Sequence, residues 1–376
     1  MKKPRIERWN MIKNILIVDD SALMRRVLSD IINKDVRFHV SEYATNGLEA
    51  LDIMKSRAKE FDAVLLDINM PKMNGIEFLE KLNEHDIKAT VIIVSTIAKK
   101  DARETITALE LGAFDFITKP ESYVEVNSNQ FADRILKRLT FATKAEEIEE
   151  SEDELACGLT EEEPKDSKKG KSGKAKPVTD SKTGGKLVAL ACSTGGPKAL
   201  HTLIPALPAN LDAPMLIVQH MPSGFTKSLA DRLNEISPIK VKEADDGDVL
   251  EKGTVYIAKG GHQMRAVKKR NGEYYLKVTK ESARRGLLPC ADIMYESLTD
   301  LDYDHIVCVV LTGMGGDGTA GIKKLNKSKN IYVIAQDEKT SVVYGMPKVI
   351  KESGLVNEVL PLTEIADAIT KKAGVH

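Results

Sequence analysis

Ser193, His220 and Asp317 each follow an apolar run of strand length. The runs are Leu187-Val188-Ala189-Leu190-Ala191, Met215-Leu216-Ile217-Val218-Gln219 and Ile306-Val307-Cys308-Val309-Val310-Leu311. In open α/β sheets, ligands bind at the carboxyl ends of the strands. A hydroxyl, an imidazole and a carboxylate placed there can act as nucleophile, base and orienting group. The chain order Ser, His, Asp differs from the Ser, Asp or Glu, His of α/β-hydrolases. A Gly-x-Ser-x-Gly elbow is missing, because Ala191 stands two residues before the serine. Taken singly, each residue has a plainer reading. Ser193-Thr194-Gly195-Gly196-Pro197 suits a phosphate-cradling turn, with Pro197 in the first turn of a helix. His220 reads as a structural histidine, and Asp317 as turn chemistry in a Gly-rich loop that can itself hold an anion. Together, the three strand-end groups favour acyl transfer, and the loop around Met314 offers N–H groups to an oxyanion.

A second constellation lies nearer the N-terminus. Asp19 and Asp20 end the first apolar run, Asp67 ends the third, and Lys119 follows the fifth. Three carboxylates on one sheet edge repel each other and favour a hard divalent cation with oxygen ligands, most plausibly Mg²⁺. With its charge offset, Asp67 can attack a phosphoryl donor. Lys119 can then pair with the phosphoryl oxygens. As single residues, Asp20 and Asp67 also suit helix capping and strand termination.

Both constellations need strands alternating with helices. Before residue 143 the strand runs are Ile15 to Val18, a weaker one near His39-Val40, Ala63 to Leu66, Val91 to Val94 and Phe114 to Ile117. Amphipathic stretches such as Ala22 to Ile32 and Gly75 to Leu82 separate them. This alternation implies a parallel, doubly wound sheet. It resumes after residue 186, where Val255 to Ala258 and Tyr274 to Val278 look like a hairpin insert. Between the halves, Glu146 to Glu154 is acidic, and lysine, glycine and serine crowd residues 168–174 and 181–186. Such a segment buries too little apolar surface to offset its ordering entropy and reads as a flexible linker. The expected layout is residues 11–142, a linker over 143–186, and a second domain over 187–372.

Composition narrows the function classes. In 376 residues, 42% are hydrophobic, enough for full-sized cores. A net charge of −1 argues against bulk nucleic-acid or anionic-membrane binding. The apolar runs are too short to span a membrane, and residues 1–11 lack the apolar core of a secretory signal. Cys157, Cys192, Cys290 and Cys308 show no CxxC spacing and fit free thiols in a reducing cytoplasm.

The stretches Ile15-Leu16-Ile17-Val18-Asp19-Asp20-Ser21, Leu65-Leu66-Asp67-Ile68-Asn69-Met70-Pro71, Val94-Ser95 and Ile117-Thr118-Lys119-Pro120 resemble a response-regulator receiver domain. The resemblance implies a flavodoxin-like fold and makes Asp67 the phosphoacceptor. Mg²⁺ would be held by Asp19, Asp20, Asp67 and the Asn69 backbone carbonyl. Ser95 would be the switch hydroxyl. Phe116 would occupy the aromatic switch position, where it has no hydroxyl and must act by packing.

The second half is similar to the catalytic domain of chemotaxis protein-glutamate methylesterases. The matching residues are Ser193 to Pro197, Gln219 to Pro222, Phe225-Thr226 with Arg232, Leu311 to Gly318 and Ser341 to Pro347. The implied architecture is two doubly wound, mainly parallel α/β domains, flavodoxin-like and Rossmann-like. The implied roles are Ser193 nucleophile, His220 base, Asp317 orienting acid and Met314 N–H oxyanion donor. The ester hydrolysis would need no cofactor. Substrates would be methylated glutamates of chemoreceptors, the phosphodonor a chemotaxis histidine kinase, and the location the cytoplasm at chemoreceptor arrays. Some family members also deamidate receptor glutamines, and in the family the unphosphorylated receiver restricts access to the active site. Where the family usually has Gly, Ala and Ser, this chain has Ala191, Cys192 and Cys290. The competing reading is a receiver-controlled module that binds receptor or nucleotide without catalysis.

Overall fold

The computed structural model describes residues 12–96, 99–120, 129–145, 185–270 and 272–376. Apart from its flanks, the expected linker lies outside the described residues. The same holds for Cys157.

The first domain runs β1 (Lys13–Val18), α1 (Ala22–Lys34), β2 (Phe38–Ala44), α2 (Gly47–Arg57), β3 (Ala63–Asp67), α3 (Gly75–Glu84), β4 (Val91–Ser95), α4 (Lys99–Glu110), β5 (Asp115–Thr118) and α5 (Asn129–Thr143). All neighbouring strands are parallel, in the order β2-β1-β3-β4-β5. Successive strand side chains point to opposite faces. Ile15, Ile17 and Leu65 therefore pack with Leu28 and Ile32 of α1 and Phe131, Ile135 and Leu139 of α5. Leu16, Val18 and Leu66 join α2, α3 and α4 on the other face. Covering both faces explains why the strands read as unbroken apolar runs. Short polar side chains set the helix starts: Ser21 accepts from Met24 N–H, and Asn74 forms a reciprocal capping box with Glu77.

The second domain contains β6 (Lys186–Cys192), α6 (Gly196–Leu203), β7 (Met215–Gln219), α7 (Phe225–Ile236), β8 (Lys240–Glu243), β9 (Thr254–Ile257), β10 (Gln263–Lys268), β11 (Tyr274–Thr279), α8 (Ala291–Ser297), β12 (His305–Val310), α9 (Thr319–Leu325), β13 (Ile331–Gln336), α10 (Met346–Glu352), β14 (Glu358–Leu360) and α11 (Leu362–Ala373). Seven strands pair in parallel in the order β14-β13-β12-β6-β7-β9-β8. From β6 the chain moves outward through β7, then returns to the opposite side with β12. That reversal is a topological switch point, and it opens a crevice at the carboxyl ends of β6, β7 and β12. The fold continues past residue 372, since the His376 N–H bonds to the Asn210 carbonyl.

The hairpin expectation needs correction. Residues 254–257 form β9 inside the main sheet, between β7 and β8. The antiparallel hairpin is β10 with β11, pairing Gln263 with Thr279 and Lys268 with Tyr274. Burial on both faces makes β9 uniformly apolar, as a central parallel strand requires. The polar content of β10 hid the hairpin's first arm.

The loops at the crevice are packed backbone to backbone. A Cβ added at Gly313 would fall 2.4 Å from Met346 Sδ and 2.8 Å from Ser193 Cβ. Gly313→Ala is therefore expected to destabilise the chain by about 1–3 kcal/mol, as overpacking does. Denaturant titration of the full chain measures this, and an unchanged midpoint would mean that these loops yield freely.

Candidate active site and phosphoacceptor site

Ser193 is the first residue past β6, His220 the first past β7, and Asp317 lies in the loop between β12 and α9. His220 Nε2 stands 2.8 Å from Asp317 Oδ2. Asp317 also accepts from the backbone N–H groups of Ala291 at 2.6 Å and Asp292 at 3.1 Å, and from the Cys290 thiol at 3.2 Å. Burial alone would raise its pKa, but the His220 bond and the backbone donors outweigh burial and hold it at about 2. Asp317 is thus a carboxylate at neutral pH. With Nε2 committed to Asp317, Nδ1 is the imidazole nitrogen left for a proton from elsewhere. Ser193 and His220 line one cavity, with no hydrogen bond from the serine hydroxyl to the imidazole among the described residues. Catalytic hydrogen bonds are often long in the absence of substrate.

The serine turn is clamped from both sides. Its N–H donates to the Thr312 carbonyl at 3.0 Å, and its carbonyl accepts from Gln219 Nε2 at 3.0 Å. Thr312 Oγ1 donates to the Thr194 carbonyl. Gln219 Oε1 accepts from the Cys192 thiol at 3.0 Å, and a Cβ at Gly196 would fall 1.9 Å from that oxygen. Cys192 is fully buried, and burial pushes its thiol pKa far up. A thiol held neutral beneath the turn is a poor nucleophile, which leaves Ser193 as the hydroxyl facing the cavity. The Met314 N–H, in the facing Gly-rich loop, donates to no protein group among the described residues.

In the first domain, Lys119 Nζ lies 2.8 Å from Asp67 Oδ2 and 3.0 Å from Asp19 Oδ2. Burial raises the Asp67 pKa more than Lys119 lowers it, and Asp19 adds to the rise. Burial acts to lower Lys119, yet the charges of Asp67 and Asp19 win and raise it. One lysine thus serves two buried carboxylates. Asp19 Oδ2 has only that ion-pair proximity and accepts no well-aligned hydrogen bond. The Asp19, Asp20 and Asp67 ligand oxygens lie within 4.8 Å of one another. Unbalanced negative charge and oxygen-only donors fit a hard divalent cation. Ser95 ends β4 and is buried. Asn69 is exposed just past Asp67, and its side chain donates to Asp101 at 3.0 Å.

The two domains meet beside the serine turn. Helix α4 packs on α6 and α7. Glu110 accepts from Arg232 at 2.8 and 3.1 Å and lies 3.1 Å from His201 Nε2. Phe116 stacks on Phe225 with ring centroids 4.7 Å apart. Asp115 accepts from the hydroxyl of Thr194, next to the serine, at 2.8 Å. A cavity of about 490 Å³ is lined by Ser193, His220, Met314 and Asp317 on one side and by Asp115, Phe116, Arg134, Lys137 and Arg138 on the other. The structural roles of Gln219, Asp115 and Glu110 are new relative to the sequence reading. Gln219 ends an apolar strand, and a buried amide there was the available signal.

Comparison with known proteins matches the CheB methylesterase family to residues 188–369 and the response regulator receiver domain to residues 15–128. A protein-glutamate methylesterase/protein-glutamine glutaminase of Syntrophomonas wolfei is 40% identical over 360 residues, covering 95% of this chain and 98% of that protein. A Bacillus subtilis protein of the same description is 40% identical over 359 residues, covering 95% and 97%. Among solved structures, the Thermotoga maritima CheB methylesterase catalytic domain is 41% identical with a TM-score of 0.48, covering 50% of this chain and 99% of that one.

Asp317→Asn replaces an anion facing His220 with a neutral amide that disfavours the productive tautomer. The expected loss in turnover is up to about 10⁴-fold, with folding retained by circular dichroism. Turnover within a few fold of wild type would remove Asp317 from the triad.

Proposed function

The chain belongs to the CheB methylesterase family, carrying an N-terminal response-regulator receiver domain, and we propose that Ser193, His220 and Asp317 perform its protein-glutamate methylesterase reaction. It is a chemotaxis hydrolase of the methylesterase/glutaminase class under receiver control. The observation that carries the residue assignment is the 2.8 Å His220–Asp317 contact beside Ser193, at the switch point of the sheet.

The chemistry follows from the geometry. Ser193 Oγ attacks the γ-carbonyl carbon of a glutamyl methyl ester while His220 takes the hydroxyl proton. Asp317 stabilises the resulting imidazolium. The Met314 N–H donates to the developing oxyanion. Collapse breaks the ester C–O bond, and His220 returns the proton to the leaving methoxide, which departs as methanol. Water, deprotonated by His220, then attacks the acyl-enzyme, and free glutamate and Ser193 are released. With a glutamine substrate the same steps release ammonia. None needs a metal.

Phosphorylation of receiver domains in general depends on Mg²⁺. Here Asp19, Asp20 and Asp67, with the Asn69 carbonyl, would hold the ion, which offsets charge on the incoming phosphoryl group. Asp67 would accept that group and Lys119 would pair with its oxygens, with Ser95 as the switch hydroxyl. A chemotaxis histidine kinase fits as donor, and methyl-accepting chemoreceptors fit as substrate. Among the described residues no helix is long and apolar enough to cross a membrane. Action at chemoreceptor arrays in the cytoplasm follows from the substrate.

Control by covering fits the shared cavity. Lys119 and Phe116 stand on or beside β5, and Phe116 touches Phe225. A phosphoryl group on Asp67 would draw Lys119 and Ser95, repack Phe116 and weaken docking. The linker between α5 and β6, shorter than the expected 143–186 because Thr143 ends α5 and Lys186 begins β6, then keeps the domains tethered.

Two expectations test this. Ser193→Ala should lower methanol release from methylated receptor membranes by several orders of magnitude, whereas Cys192→Ala retains most activity. A dead Cys192→Ala with an active Ser193→Ala would move the reaction to the thiol. Glu110→Lys places a cation against Arg232, and a change of about 1.4 kcal/mol in docking is tenfold in its equilibrium. This variant, like a folded fragment of residues 186–376, should exceed the unphosphorylated chain in basal rate. Asp67→Asn should lose stimulation by a small phosphodonor. If release of the receiver left the rate unchanged, covering would be wrong and the receiver would act by recruitment.

A further inference from the structure

Arg285 faces the cavity from an unusual backbone position. The Arg284 and Leu287 backbones exchange hydrogen bonds of 3.1 and 3.0 Å, closing a two-residue turn. The central residues have φ of 53° at Arg285 and 75° at Gly286. Two left-handed positions of this kind usually hold Asn, Asp or Gly. A bulky arginine is costly there, and such outliers cluster at functional sites. The turn puts Arg285 on the wall of the cavity that holds Ser193 and His220.

The local acids are otherwise engaged. Glu296 pairs with Arg284, Glu281 with Arg265, and Asp317 with His220. The nearest carboxylate to Arg285 is Asp292, at 3.8 Å and buried, with its Oδ1 accepting from the Gly321 N–H at 2.7 Å. The Arg285 side chain stays 74% exposed. Across the cavity, Arg134, Lys137 and Arg138 belong to the receiver and leave with it. Among the described residues, Arg285 is the one Arg or Lys of the catalytic domain lining the cavity, so it stays with the serine whether or not the receiver is docked.

A methyl ester is neutral and gives a guanidinium little to bind. A carboxylate matches its planar fork in charge and geometry. From this, and resting on the methylesterase reading, we propose that Arg285 is a specificity-determining residue that binds an acidic side chain next to the methyl ester on the substrate segment. On a helical substrate, residues three or four apart share a face. A glutamate or aspartate at that spacing from the ester would meet Arg285 while the ester carbonyl reaches Ser193. Arg285 thus selects esters set in an acidic surface.

The test uses two helical peptides with one glutamyl γ-methyl ester, differing only in whether the residues three and four away are Glu or Gln. Phosphodonor-activated full-length protein should hydrolyse the Glu peptide with a KM lower by about two- to fivefold at equal kcat, the range expected of an exposed charged pair. Added salt should shrink that difference. Arg285→Gly is the informative variant, because glycine fits φ above zero and the turn should survive with an unchanged thermal midpoint. It should lose the preference with kcat preserved, and Arg285→Lys should restore part of it. Equal discrimination by wild type and Arg285→Gly, or none by wild type, would overturn the assignment. Peptide binding to Ser193→Ala protein, read by fluorescence anisotropy, gives the same comparison without turnover. Absence of methanol release from wild type would therefore count against the esterase reading alone, while binding decides Arg285.

Discussion

One buried negative charge organises the catalytic domain. The Asp317 carboxylate sits at the carboxyl edge of the sheet, where an unpaired ion would be strongly unfavourable. Its oxygens instead accept from the Ala291 and Asp292 N–H groups, the Cys290 thiol and His220. That set fixes three things together. It fixes where α8 begins, because the first N–H groups of a helix need acceptors. It fixes the loop after β12, because Asp317 must reach α8. It fixes the imidazole, because one ring nitrogen is committed to the carboxylate. Cys290 takes part as a neutral donor, with burial and the Asp317 charge pushing its pKa up to about 12. A thiol can thus do a hydroxyl's work here, provided it only donates.

One short strand of the receiver touches both the serine turn and the Asp67 pocket. β5 carries Asp115 and Phe116 and is followed by Lys119. Asp115 holds the hydroxyl beside the serine, Phe116 stacks on α7, and Lys119 pairs with Asp67. The Asp67–Lys119 pair and the domain boundary are therefore neighbours along the same few residues. A change in charge at Asp67 has no long path to travel. Under the proposed control, it would act through the contact of Phe116 with Phe225.

Much of this was legible in the sequence, for a physical reason. Parallel strands covered on both faces must be apolar along their length. The residue that ends such a run therefore stands out, and Asp19, Asp67, Ser193 and His220 are singled out in this way. The same rule misled at β9. Its continuous apolar run marks a central strand, whereas β10, with Gln263, Arg265 and Lys268, gave no comparable signal. Contacts between distant residues left no trace. Thr194 and Asp115 are 79 positions apart, and Arg232 and Glu110 are 122 apart. Docking supplies these two contacts, and no periodicity or local spacing records docking.

The rigidity of the catalytic loops explains why control comes from a separate domain. Gly196 leaves no room for a Cβ beside Gln219, and Gly313 leaves none beside Ser193 and Met346. Backbone bonds from Thr312 and the Gln219 amide hold the serine turn on both sides. A site packed this closely keeps its geometry before substrate arrives, which favours catalysis by preorganisation. It also has little freedom to switch itself off by loop movement, since interiors at this density resist small displacements. Switching by access, as proposed, leaves that geometry untouched. A second domain lining the cavity with Asp115 and Phe116 also makes half-exposed contacts such as Arg232 with Glu110. Contacts of that kind are individually weak. Weakness is what the task requires, because a single phosphoryl group must be able to outweigh them.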